Sequence, residues 1–189
     1  MAVRPHALDE RCDTCGFEWA HLSPPDAAAA ARSLGRRWRE LLETTLVEDD
    51  GVDRVHRHQP SGWSIIGHGA HVAEVLERKA VALASVRDHH RPVLPPADIE
   101  APHASDDTAD ATDVAGDIGG AAEMLARTIE SISGDDWLRV GIVVGRDVTA
   151  AHLARDAVHE ATHHLRAAEA ALAEAALAEA GVAGDEESW

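Results

Sequence analysis

From Thr149 to Ala180 the chain runs without a Gly or a Pro, and this stretch, more than any other, limits what it can fold into. Its Ala, Leu, Glu, Arg and His content makes it one long helix. Thr149 is placed to cap it and Gly181 to stop it. Such a helix must bury its apolar side against other helices, and three more helical stretches are present. Ser23-Pro24-Pro25-Asp26 has the form of a helix start, and Leu34, Trp38, Leu41, Leu42 and Thr45 then recur on one face up to about Val47. A second helix opens at Trp63-Ser64 and runs to about His90, ahead of Arg91-Pro92, with Ile65, Val72, Leu76, Ala80 and Leu83 as its stripe. A third is expected over 117–133, where Ile118, Ala122, Leu125, Ile129 and Ile132 share a face.

Strand signals are few. Trp137 to Gly145 is β-branched and punctuated by Gly, which reads as a short strand-like or extended segment. The fold expected is all-α, an antiparallel four-helix bundle over residues 23–181. Residues 1–22, with Pro5, Cys12, Cys15, Gly16, Phe17 and Trp19, read as a short loop-rich N-terminal appendage, and 182–189 as a tail. Inside the bundle, 92–117 reads as a linker: Pro-rich at first, then acidic, with Asp98, Glu100, Asp106, Asp107, Asp110, Asp113 and Asp117 unmatched by any Lys or Arg.

At 189 residues and 45% hydrophobic content the chain is long and apolar enough for a real core in one domain. Its 34 Asp and Glu outweigh 17 Lys and Arg, a formal charge of −17. That balance excludes a nucleic-acid binder, which needs clustered positive charge, and disfavours anionic membrane surfaces. No apolar run reaches the roughly 20 residues of a membrane span, and no apolar core of a secretory signal opens the chain. A cytoplasmic location is expected. The unusual count is histidine: 13, against one Phe, five Trp and no Tyr.

The histidines are not scattered evenly. His159 and His163 lie one turn apart on the fourth helix, and His152 and Asp156 continue their stripe at a 4-3-4 spacing. At 100° per residue these four fall within roughly 60° of the helix circumference, whereas Glu160 and His164 lie about 80–100° away. A buried polar stripe of this kind is costly unless satisfied, and metal ligation satisfies it. Two imidazoles need a third donor from a facing helix, and the second helix offers His68 and His71. Three protein ligands with open positions describe a catalytic site of the zinc type. The histidines at 56, 58, 89, 90 and 103 fall in loops or at a helix end and read as solvated.

Trp63-Ser64 leading to His71-Val72-Ala73-Glu74, followed by His159-Glu160-Ala161-Thr162-His163-His164, resembles the DinB/YfiT-like superfamily of metal-binding four-helix bundles. The resemblance covers about residues 26–180. It implies a divalent metal, zinc or nickel, held by His71, His159 and His163, with His68 behind them and His164 outside. A second register is similar to the mycothiol-dependent maleylpyruvate isomerases, whose later pair reads Glu-x-x-x-His; Glu160 and His164 fill it. The activity implied is a low-molecular-weight-thiol (mycothiol) S-transferase or isomerase, in which a metal-held thiolate attacks a small-molecule electrophile. Asp156 or His152 is the candidate proton acceptor, and Arg146 or Arg155 the candidate contact to a carboxylate or sugar hydroxyl of the thiol. The alternatives are a metal-dependent hydrolase using bound hydroxide and a non-catalytic metal-binding protein of stress response or protein contacts. Bundles of this kind commonly pair, so a homodimer is the expected assembly.

Cys12-Asp13-Thr14-Cys15 forms the single Cys-x-x-Cys of the chain. It has the look of a metal knuckle, but a closed site needs four ligands. His6, His21 or a second subunit would complete such a clip, and redox chemistry or no special role are the other readings.

Overall fold

The computed structural model describes residues 11–47, 54–58, 62–96 and 109–186. His6, His103, the acids Asp98, Glu100, Asp106 and Asp107 of the expected linker, and the last three residues of the tail lie outside these. Four helices dominate: α1 (Ala27–Val47), α2 (Ile65–Asp88), α3 (Ala111–Glu130) and α4 (Ala150–Glu186). Three of them start where a short polar side chain replaces the missing helical acceptor. Ser64 Oγ accepts the Gly67 N–H at 2.9 Å, and Thr149 Oγ1 accepts that of His152 at 3.1 Å. Asp110 Oδ1 accepts from Thr112 and Asp113 at 2.8 and 3.3 Å.

The Asp110 cap corrects the expected linker. Helix α3 begins at Ala111 rather than near 117, so Asp113 and Asp117 belong to its first two turns. Acids there face the positive end of the helix dipole, which makes them helix-starting residues. At the other end of the chain α4 continues past Gly181 and Gly184 to Glu186, since each helical Gly costs only about 1 kcal/mol and does not by itself force a stop.

The principal packings join α1 to α3 and α4, and α2 to α3 and α4. Round the bundle the order is therefore α1, α3, α2, α4, and the successive helices α1 and α2 sit on a diagonal. Trp38 and Leu42 of α1, Leu76 of α2, Ile118 and Leu125 of α3 and Leu165 of α4 are buried in one core. Arg32 of α1 braces this arrangement on the outside, donating to Glu123 and Glu130 of α3 at 2.7 and 2.5 Å.

The all-α expectation needs a correction. Val93–Leu94 (β1), Val140–Val143 (β2) and Arg146–Thr149 (β3) form a three-stranded sheet in the order β1-β2-β3, parallel then antiparallel. Val144 and Gly145, both at positive φ, make the two-residue turn of the β2–β3 hairpin. The sheet lies close on α2: a Cβ on Gly141 would stand 2.6 Å from Leu94 Cδ1 and 2.9 Å from Val86 Cγ2. Two-residue β1 is too short to show the alternation by which strands are read from sequence.

Residues 11–22 form a tight turn closed by Gly16 N–H to Cys12 O and Cys12 N–H to Phe17 O, both 2.8 Å. A 3-10 turn, Trp19–His21, follows, and it buries Trp19 completely. Arg155 of α4 donates Nε–H to the Leu22 carbonyl at 2.7 Å and so ties this segment to the bundle.

Candidate metal centre

Because α2 and α4 pack side by side, the first turns of α2 bring His68 and His71 against the middle of α4. There α4 carries two interleaved pairs, His159/His163 and Glu160/His164, offset by one residue. One residue is about 100° of rotation, so the two pairs face different neighbours. The structure separates them accordingly. His71, Glu160 and His164 bring one donor atom each within 4.8 Å of one another. His159 and His163 instead gather with Cys12 and Cys15 in a second group of the same tightness. The set His71, His159 and His163 implied by the resemblance is thus divided between two groups, and His71 meets the pair of the second register.

His68 stands directly behind His164. Their Nδ1 atoms are 2.8 Å apart, so one ring donates and the other accepts. With Nδ1 engaged, His164 presents Nε2 towards Glu160 Oε2, 4.0 Å away. A ligand imidazole held through its other nitrogen by a buried partner is the usual outer arrangement of a metal site. Trp63 covers the cluster: it stacks on His68 at 5.2 Å and 15°, and meets His71 edge-on at 5.1 Å. Burial, then the neighbouring His71 and His163, pushes His68 down to about 4. Burial, with His71 and His68 beside it, pushes His164 down to about 2. Both rings are neutral at neutral pH, the form in which imidazole ligates. The donors at 71, 160 and 164 therefore suit a divalent cation in charge, chemistry and spacing.

The other candidates fall into place around this set. Asp156 receives the Lys79 ammonium at 2.5 Å. Burial would raise its carboxyl, but Lys79 outweighs that and holds it below the usual carboxylate range, which makes it a weak proton acceptor. It also groups with His159 and Glu160 within 4.8 Å. His152 stands two turns further towards the helix start, about 12 Å along the axis from Glu160. Arg155 is engaged with Leu22, and Arg146 is exposed at the hairpin beyond the start of α4.

The cysteine group has its own electrostatics. Burial alone would raise the Cys12 thiol, but the amides of Cys15 and Thr14 and the imidazoles of His159 and His163 bring it down to about 6. Burial and the adjacent Cys12 push Cys15 up to about 11. Burial opposes charge on His159, yet Glu160 and Cys12 hold it above its ordinary value. Its Nδ1 lies 3.2 Å from Glu160 Oε1, so Glu160 stands between the two groups. His21 pairs with Glu18 at 2.9 Å rather than with the thiols. Sequence reasoning had the signals for this partition in hand: two i,i+4 pairs one residue apart, and a Cys pair short of two ligands.

No protein-family model matches the chain, and no curated protein sequence does. Among solved structures it is similar to YfiT from Bacillus subtilis, described as a probable metal-dependent hydrolase with an unusual four-helix bundle topology. The TM-score is 0.66 at 13% identity, over 75% of this chain and 81% of that one. The chain has the YfiT fold. The resemblance read from Trp63-Ser64, His71 and the histidines of α4 thus holds at the level of the fold. The diagonal placement of α1 and α2 is one that a simple up-and-down bundle lacks. It leaves α2 facing α4, on which the histidine cluster depends. Among the described residues no helix is long and apolar enough to cross a membrane.

Proposed function

We propose that this protein is a divalent-metal-dependent enzyme whose metal is held by His71, Glu160 and His164. The observation that carries this reading is the convergence of those three donors from α2 and α4, with His68 fixing His164 from behind. Three protein donors leave coordination positions for a substrate, which is the arrangement of catalytic rather than structural sites. A zinc- or nickel-type cation bound there would lower the pKa of a thiol or a water and hold its anion beside an electrophile.

The protein's own groups prepare that site. His68 orients His164, Trp63 shields the imidazoles from water, and Lys79 neutralises Asp156 one turn from Glu160. The Glu-x-x-x-His pair supports a thiol-dependent reaction, an S-transfer or isomerisation with mycothiol as co-substrate. The likeness to YfiT supports a second reading, metal-dependent hydrolysis. Cytoplasmic location, a small-molecule electrophile and pairing into a homodimer belong to the same proposal.

Metal content and a panel of electrophiles assayed with and without added thiol test it. The expected result is thiol-dependent turnover that falls at least ~100-fold in His164→Ala together with the loss of one metal equivalent, since ligands matter more than outer partners, whose loss costs about 10–100-fold. Turnover without thiol selects hydrolysis, and unchanged metal content in His164→Ala refutes the site.

A further inference from the structure

The second donor group is chemically unlike the first, and nothing in the proposed reaction uses it. We propose that Cys12, Cys15, His159 and His163 form a closed Cys2His2 centre for a zinc-type ion, which clamps the N-terminal turn to the middle of α4. This goes beyond the catalytic reading and does not depend on it.

Four ligand atoms, two sulfur and two nitrogen, already lie within 4.8 Å of one another. In a tetrahedral zinc site, with Zn–S about 2.3 Å and Zn–N about 2.05 Å, a sulfur and a nitrogen stand roughly 3.6 Å apart. Cys12 Sγ and His163 Nδ1 are 3.7 Å apart. That spacing is reached between residues 151 positions apart in sequence, so it is a product of the whole fold. Two thiolates, two neutral imidazoles and a dication sum to zero charge, so the half-buried site carries no net charge when filled. Four soft and borderline donors leave no open position, which marks a structural site and selects zinc over magnesium or calcium.

The local backbone is built for the same purpose. Between Arg11 and Glu18, which form an isolated antiparallel bridge, the chain reverses at Asp13, Thr14 and Cys15. Gly16, at φ +72°, lets the turn close in a conformation that a side chain disfavours. Phe17 and Trp19 then pack on the His159 ring at 5.4 and 4.3 Å, holding it in place beside the sulfurs. The Arg11–Glu18 bridge and the Cys12–Phe17 and Cys12–Gly16 bonds lie within the turn itself, and the Arg155–Leu22 bond ties the end of the segment to α4. A metal staple supplies what so short a segment lacks.

The full-length reduced chain, stripped of metal and titrated with cobalt(II) under anaerobic conditions, tests the proposal. The expected spectrum contains thiolate-to-cobalt charge-transfer absorption and tetrahedral d–d bands. The thiolate band is lost or strongly reduced in Cys12→Ser and persists in His71→Ala, which loses only the other ion. In the wild-type chain, saturating zinc should slow alkylation of the two thiols at least ~10-fold. Absence of the thiolate band, equal alkylation rates with and without zinc, or a Cys12–Cys15 disulfide in the protein as isolated from reducing cells would each overturn it. Failure of the catalytic site alone would leave the thiolate band intact.

Discussion

His68 shows how a buried histidine contributes without touching a substrate. Its Nδ1 to that of His164 is a strong directional contact in a site where Trp63 limits water. Replacing it leaves His164 free to turn and its Nδ1 without that partner. His68→Ala should weaken metal binding at the His71 set by about 10–100-fold, read by competition with a chelating dye, while the helical circular dichroism is retained. An unchanged affinity would mean that His68 is packing only. Lys79 and Asp156 illustrate the opposite economy, two charges that satisfy each other. Both are largely covered, at 15% and 22% side-chain exposure, so Lys79→Met should destabilise the fold by about 3 kcal/mol in urea unfolding, because it strands a carboxylate.

Contacts between elements set how firmly α2 and α4 hold the two donor groups apart. Arg32 links α1 to α3 through Glu123, and with Arg127 it lowers that carboxyl to about 2 from an ordinary 4.5. The folded chain therefore binds fewer protons there than the unfolded chain. The stability contributed is complete above pH 4.5 and is lost as the pH falls towards 2. Between pH 5 and pH 3 the urea midpoint should fall further for the wild type than for Arg32→Met. Equal falls would show that the pair contributes nothing in solution, as many exposed pairs do. The sheet makes a sharper demand on shape. Gly141→Ala forces a methyl group against Leu94 and Val86, so a loss of about 1–3 kcal/mol in thermal or urea unfolding is expected. If the variant is as stable as the wild type, β2 is free to move away from α2.

At the scale of the whole molecule the chain is fastened across its length: residue 12 meets residue 163, and Leu22 meets Arg155. Metal removal should therefore be felt at the N-terminus first. With a strong chelator, proteolysis should begin near Arg11 at rates about 10-fold higher or more, and re-added zinc should restore protection. Cleavage there at the same rate with and without chelator would detach the N-terminal turn from any metal. The four helices were legible in the sequence because apolar spacing and caps at Ser64 and Thr149 are local properties. The Glu160/His164 pair was legible as a register, and Cys12/Cys15 as half of a site. Hidden were the start of α3 at an acidic cap, the sheet built from a two-residue strand, and the partners of each pair. By itself the sequence determined the helices, the core and the supply of ligands, since these follow from 3.6-residue periodicity and composition. Only the tertiary structure decided which ligands meet. A turn at residue 12 and a helix at residue 163 share a site only after the core has placed them, and one residue of helical rotation sends neighbouring pairs to different partners.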